Sequence, residues 1–201
     1  MRVIAGRYKG RNLLAPRGRG TRPILDRVKA ALFDVLGVRL AQPGALPPAD
    51  VLDLFAGSGS LGIEALSRGA ASCVFVETDR AALGCLRRNL ASLGIGPTAR
   101  VFMDPVEVAR AAPPPPHGFD LIFLDPPYAL SEDMSPRSLM QRAVARLGTT
   151  IPAGPDALLV WRHAESCRLP DSFPSGWASC ERRTWGTMAI SFFQRSQEGH
   201  P

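Results

Sequence analysis

Residues 51–70 read VLDLFAGSGSLGIEALSRGA, and this stretch constrains the fold more than any other. Val51 to Phe55 is a short apolar run. Gly57, Ser58 and Gly59 turn it, and Ile63, Ala65 and Leu66 then fall on one inward side of a helix. A strand that turns through glycines straight into a helix aims backbone N–H groups at a ligand on the helix N-terminus. Small residues let the backbone approach that ligand closely. The expectation is a nucleotide-type cofactor site at the end of a first parallel strand. Gly57, Gly59 and Gly62 also satisfy the dinucleotide pattern G-x-G-x-x-G, and the acidic Glu77 follows about 20 positions later, as that pattern requires. Two features point elsewhere. Asp53 stands inside the strand, placed to hold a cationic group, and a tetrapeptide, Asp125-Pro126-Pro127-Tyr128, follows a later strand.

At 201 residues the chain is long enough for one well-packed domain with a small appendage. No apolar run approaches the ~20 residues of a membrane span. The N-terminus, MRVIAGRYKGR, is basic but lacks the apolar core of a signal peptide, so a cytoplasmic location is expected. Cys73, Cys85, Cys167 and Cys180 form no C-x-x-C pair and read as reduced thiols. His117, His163 and His200 show no ligand spacing near them, so no metal site is expected.

The charge is unevenly placed. Residues 1–30 hold nine basic side chains and the single acid Asp26, a local charge of +8 in a chain of net +6, so the remainder carries −2. A basic segment on a nearly neutral body points to a polyanion bound on one face. Arg7, Lys9, Arg11, Arg17, Arg19, Arg22 and Arg27 are the candidates for phosphate contacts.

In chain order, residues 2–14 read as a hairpin turned by Gly6 and Gly10, and PRGRGTRP (16–23) as a loop. Asp26 is expected to cap a helix running to about Leu40. AQPGALPPA (41–49) is a proline-rich connector, which divides a basic extension, 1–45, from a main domain, 46–195, with a tail at 196–201. Strands are then expected at 51–55, 73–76, 99–103, 120–124 and 157–161, with helices at 60–68, 80–93, 105–111 and 136–147 and a polar loop at 129–135. Two final strands, 181–185 and 188–193, form a hairpin. This alternation implies a parallel sheet with right-handed crossovers, closed by an antiparallel hairpin. Strands two, three and four end on Glu77, Asp104 and Asp125, at the carboxyl edge where open α/β sheets bind ligands.

The tetrapeptide has its own chemistry. Two prolines stiffen the backbone and remove two N–H donors. What remains is a rigid edge of acceptors, the Asp125 carboxylate and the Pro126 carbonyl, beside the aromatic Tyr128. That edge suits a planar heterocycle with an exocyclic amino group, stacked on the ring for about 1–3 kcal/mol. Accepting both amino hydrogens frees the nitrogen lone pair and stabilises the positive charge that develops on alkylation. The base must be unstacked to enter.

DLFAGSGSLG together with DPPY resembles the class I S-adenosylmethionine-dependent methyltransferases that methylate amino groups. MRVIAGRYKGR, TRPILDRVKAALFDVLG and LGIEALSRGA further resemble the RsmD-type family of 16S ribosomal RNA guanine-N2 methyltransferases, over roughly residues 1–195. The resemblance implies a Rossmann-like, seven-stranded, mostly parallel sheet with an antiparallel C-terminal hairpin strand and a short N-terminal hairpin and helix. It implies methyl transfer to N2 of a guanine (guanine 966 in the family's name) in 16S rRNA of the small subunit or its assembly intermediates. No obvious dimerisation stretch appears in the chain, so a monomer is expected, and no metal is expected in the reaction. Carried over, Asp53, Phe55, Ala56, Gly57, Ser58 and Gly59 form the cofactor loop. Glu77 with Thr78 meets the ribose and Asp104 lies near the adenine. Thr21, Arg22 and Pro23 close over the cofactor and help hold the RNA. Asp125, Pro126, Pro127 and Tyr128 are catalytic. The Pro113–Pro116 run is peculiar to this chain.

Four other readings stand beside this one. An adenine-N6 methyltransferase uses the same DPPY motif, but no separate domain for reading duplex DNA is visible. A glutamine-N5 enzyme carries Asn in place of Asp125. A nicotinamide oxidoreductase leaves Asp53 and DPPY unexplained. A non-enzymatic RNA-binding factor would not need so complete a cofactor loop.

Overall fold

The computed structural model describes residues 1–16, 24–103 and 115–195. Its elements are α1 (Asp26–Arg39), β1 (Asp50–Leu54), α2 (Ser60–Arg68), β2 (Ser72–Val76), α3 (Arg80–Leu93), β3 (Ala99–Phe102), β4 (Phe119–Leu124), α4 (Tyr128–Ser131), α5 (Leu139–Arg146), β5 (Ala153–Ala164), β6 (Ser172–Phe173), β7 (Trp177–Trp185) and β8 (Met188–Arg195). The strands form one sheet in the order β3-β2-β1-β4-β5-β8-β7-β6. β1 to β5 pair in parallel, and β5, β8, β7 and β6 pair antiparallel. The expected class therefore holds. The strand order reverses between β1 and β4, and such a switch point opens a crevice outside the strand ends.

Alternation along the strands builds two cores. Val51, Phe75, Phe123 and Val160 face α1, α2 and α3 with Phe33, Ile63 and Leu86. Leu52, Val74, Ile122, Leu124 and Trp161 face the other way, onto Val144 of α5. Both faces are buried, so β1 and β4 read as near-continuous apolar runs. Asp53 is the exception: a carboxylate 1% exposed, one residue before the carboxyl end of β1.

Several expectations shift. Eight strands replace seven among the described residues, because the two-residue β6 pairs with the start of β7 at the sheet edge. Asp26 is not the cap of α1; Leu25 holds that position, and Asp26 sits in the first turn, paired with Arg2 at 2.9 Å. The segment expected as a loop after DPPY begins with the short helix α4. α5 starts only at Leu139, capped by the Ser138 hydroxyl, because Arg137 adopts a left-handed φ of 73°. β5 is longer than its apolar run and extends to Ala164. Asp104, the expected helix 105–111, residues 17–23 and the tail 196–201 lie outside the described residues.

The N-terminal segment docks on α2. Arg2 and Asn12 form an antiparallel bridge across the expected hairpin. The N–H groups of Ile4 and Ala5 donate to the two oxygens of Glu64 at 2.8 and 2.9 Å, and Tyr8 N–H donates to Ser67 Oγ at 3.0 Å. Gly6 lies so close that a Cβ there would fall 1.8 Å from the Ser67 carbonyl oxygen. Glu64 is fully buried, with Lys29 Nζ of α1 at 3.3 Å and Arg68 Nε at 2.9 Å. Lys29 also donates to the Arg2 carbonyl and to Ser60 Oγ. Burial holds its ammonium below the usual lysine range, while Glu64 pulls the other way. Buried charges survive only when paired and hydrogen-bonded, and here every partner is supplied.

Candidate active site

The glycine turn is shaped by backbone geometry. Phe55, Gly57 and Gly59 all have positive φ, 58°, 57° and 84°. The Phe55 conformation is strained for a residue with a Cβ. Ala56 N–H donates to the Val76 carbonyl at 3.1 Å, extending the β1–β2 ladder into the turn. Gly57 N–H donates to Glu77 Oε2 at 2.7 Å, and Asp79 N–H donates to Oε1 at 2.7 Å. Glu77 thus braces the turn and the start of α3 together. Thr78 is exposed beside it. Asn89 of α3 is buried and works in the same way. It donates to the Ser58 carbonyl at 2.9 Å and to the Leu14 carbonyl at 3.0 Å, and accepts from Leu14 N–H at 2.8 Å. The turn is therefore tied to the end of the N-terminal hairpin.

Asp53 accepts from Gly62 N–H, in the first turn of α2, at 2.9 Å. Gly62 is required by packing: a Cβ there would lie 2.4 Å from Phe75 Cε1 and 2.6 Å from Cys73 Sγ. Burial pushes the Asp53 carboxyl up to about 8; the Gly62 N–H opposes this, and the negative charges of Asp125 and Glu77 add to it. A cation brought to this point would be met by a carboxylate that gains from ionising.

Asp125 lies one residue beyond β4, and its N–H donates to the Leu54 carbonyl at 3.3 Å. The Pro127 carbonyl accepts from Leu130 N–H at 2.9 Å and Ser131 N–H at 3.1 Å. That carbonyl is spent on α4, and the Pro126 carbonyl takes no part in those bonds. Tyr128 opens α4. The registers pair Asp53 with Phe75 and Phe123, and Leu124 with Trp161. Continued past the strand ends, they align Glu77, Phe55, Asp125 and Arg162 in one row along the rim. Arg162 Nε donates to Asp125 Oδ1.

The structure thus brings together Asp53, Phe55, Ala56, Gly57, Ser58, Gly59, Glu77, Asp125 and Pro126 at the switch point between β1 and β4. Arg7, Lys9, Arg11 and Arg27 are exposed on the N-terminal segment and α1. Arg7 lies over the Tyr8 ring, 5.5 Å from its centre, and Arg11 reaches the Ser92 carbonyl at 2.9 Å. Arg17, Arg19, Thr21, Arg22, Pro23 and Asp104 lie outside the described residues. Sequence reading missed Arg162 and Asn89. For Arg162 a signal existed: it follows the apolar run LLVW as Asp125 follows LIFL. Asn89 had none, because both its partners are distant in sequence.

Residues 1–194 match the model of the family described as Conserved hypothetical protein 95. The chain is 34% identical to Ribosomal RNA small subunit methyltransferase D of Escherichia coli strain K12, over 99% of this chain and 92% of that protein. It is 32% identical to the protein of the same name in Haemophilus influenzae, over 96% and 93%. Among solved structures, yhhF of Escherichia coli superposes with a TM-score of 0.79 at 32% identity, over 98% of this chain and 99% of that one.

Proposed function

We propose that this chain, which belongs to the Conserved hypothetical protein 95 family, the RsmD-type family, transfers a methyl group from S-adenosylmethionine to N2 of a guanine in 16S ribosomal RNA, guanine 966 by the family's name. The supporting observation is the juxtaposition of Asp125 and Pro126 with the glycine turn, side by side on adjacent strands at the switch point.

The donor set suits S-adenosylmethionine. Asp53 offers a carboxylate that gains from meeting the cationic methionyl end, the bare Gly57 and Gly59 permit close backbone approach, and Glu77, which also holds the turn through Gly57 N–H, is the proposed partner of the ribose hydroxyls. Asp104 and Thr21 to Pro23 complete the proposed set. When bound, the cofactor supplies an electrophilic methyl group. The chain's own work is done on the acceptor. Asp125 and the Pro126 carbonyl accept the two amino hydrogens, which holds the guanine nitrogen with its lone pair exposed. The carboxylate then stabilises the positive charge on that nitrogen and draws off its proton. Tyr128 supplies the stacking face. The basic extension, residues 1–45, grips the phosphates through Arg7, Lys9, Arg11, Arg17, Arg19, Arg22 and Arg27. The proposed setting is the cytoplasm, on the small subunit or its assembly intermediates, by a monomer.

The test is transfer from labelled S-adenosylmethionine to small subunits lacking the modification, followed by nucleoside analysis. N2-methylguanosine is expected. Label in N6-methyladenosine would replace guanine by adenine as the acceptor. Asp125→Ala is expected to abolish transfer while S-adenosylhomocysteine still binds; near-normal turnover by that variant would remove Asp125 from the mechanism.

A further inference from the structure

Arg162 belongs to no motif read from the sequence, yet it touches the carboxylate on which the proposed chemistry depends. It stands in β5, next to β4, level with Asp125 when the Leu124–Trp161 pairing is continued by one residue. Its residue exposure is 9%, and the Asp125 side chain is 16% exposed. Its Nε donates to Asp125 Oδ1, and its Nη1 lies 3.8 Å from Met188 Sδ on β8. Backbone pairing of Arg162 with Ile190 fixes the base of the side chain. The guanidinium is thus held from below by the sheet and from the side by β8.

Its surroundings explain the need. Asp53, Glu77 and Asp125 gather three carboxylates on one edge of the sheet, and Arg162 brings a cation to the Asp125 end of that row. A carboxylate on a short side chain at the sheet edge swings freely unless one oxygen is held. A guanidinium, planar and always charged, holds it with a directed bond, where an ammonium offers only a point charge.

We propose that Arg162 is the positioning residue for Asp125: it occupies Oδ1, fixes the plane of the carboxylate, and so presents the second oxygen to the amino group of the acceptor base. The inference rests on the methyl-transfer reading for the reaction, and on the geometry alone for the contact. A structural alternative exists, in which the pair merely neutralises a buried arginine. The two differ in what they leave intact. A positioning role affects the chemical step and spares binding, because one amino group is a small part of a subunit-sized interface.

The experiment compares Arg162→Met and Arg162→Lys with the wild-type chain. Single-turnover methyl transfer is measured at saturating subunits and cofactor, with affinities for S-adenosylhomocysteine and subunits measured in parallel. The methionine variant is expected to lose about 30- to 100-fold in the rate of transfer, the scale of a misaligned reacting group, with both affinities within about twofold. The lysine variant is expected to recover part of that loss, staying roughly fivefold or more below wild type because the fixed fork is gone. Transfer within twofold of wild type in both variants would overturn the assignment. So would a rate loss matched by an equal loss of cofactor affinity, which is the mark of a structural role. If the methionine variant does not fold, the lysine variant decides: a wild-type rate overturns the proposal, and a lowered rate with intact affinities supports it. A wild-type chain that transfers no methyl group counts against the methyl-transfer reading, whereas a transferring wild type with unaffected variants counts against Arg162 alone.

Discussion

Asp53→Asn isolates the electrostatics of the proposed cofactor end of the site. The folded carboxyl titrates near 8 and an unfolded one near 3.8. The sign follows from proton counting. Between those values the native state keeps its proton on Asp53 and the unfolded chain loses it, so the native state binds one proton more. Stability from this residue is complete below about pH 4, falls as pH rises, and is gone once the folded group ionises near 8. The slope has a ceiling of roughly 1.4 kcal/mol per pH unit, so the ceiling across the window is several kcal/mol; relaxation of the site lowers what is realised. Asparagine has the same shape, keeps an oxygen for Gly62 N–H, and does not titrate. Urea unfolding of the ligand-free chain at pH 5, 6, 7 and 8 is the assay. The two proteins are expected to differ least at pH 5 and to diverge steadily, the variant being more stable by about 2 kcal/mol or more at pH 8. Calorimetry of S-adenosylhomocysteine in buffers of different ionisation enthalpy extends the test. Near pH 7 the wild type is expected to release close to one proton as the ligand's ammonium group meets Asp53, and the variant none. Parallel stability curves, offset by a constant, would refute the argument by showing that Asp53 is already ionised in the empty site.

Two further substitutions probe the supports of the turn. Gly62→Ala drives a methyl group into Phe75 and Cys73, which is expected to cost about 1–3 kcal/mol in urea unfolding and to weaken S-adenosylhomocysteine binding as α2 shifts away from Asp53; an unchanged midpoint would show that the helix yields freely. Asn89→Ala removes the partner of Leu14 N–H, Leu14 C=O and Ser58 C=O. It is expected to cost about 2–3 kcal/mol and to speed hydrogen exchange at the Leu14 amide, and an unaltered exchange rate there would show that water replaces the side chain at no cost.

The legible parts of this molecule were those where chemistry is written in consecutive residues. VLDLFAGSGSLG specifies a strand, a positive-φ turn and a helix within twelve positions, and all three stand where expected. LIFLDPPY likewise marks a strand and the motif after it. Pairing was less accessible. That β4 lies beside β1, with the Asp125 motif next to the glycine turn, depends on a crossover that no local pattern encodes. β6 is not legible in the sequence because two residues, Ser172 and Phe173, carry no periodicity. α5 starts later than the pattern at 136–147 implies because Arg137, a residue with no special freedom, takes the left-handed conformation. The supporting polar groups were hidden for one reason. Glu64 and Asn89 look like ordinary polar positions on helices, and their partners lie 60 and 75 residues away.

Glu64 bears on whether the basic extension is a transferable module. Nucleic-acid-binding arms are often imagined as cassettes, added to a catalytic body by fusion at a linker. Here the proline-rich connector at 41–49 invites that view, but the socket contradicts it. The arm's backbone is read by the two oxygens of one carboxylate on the first helix of the body, and the arm's Lys29 closes the pair. Grafted onto a methyltransferase with an apolar residue at that position, the same arm would bury an ammonium without its counter-charge and leave two N–H groups without acceptors, a penalty of several kcal/mol. The body without its arm would fare no better, left with an acid whose main partners had gone. A chimera made at the connector must therefore carry Glu64 with it.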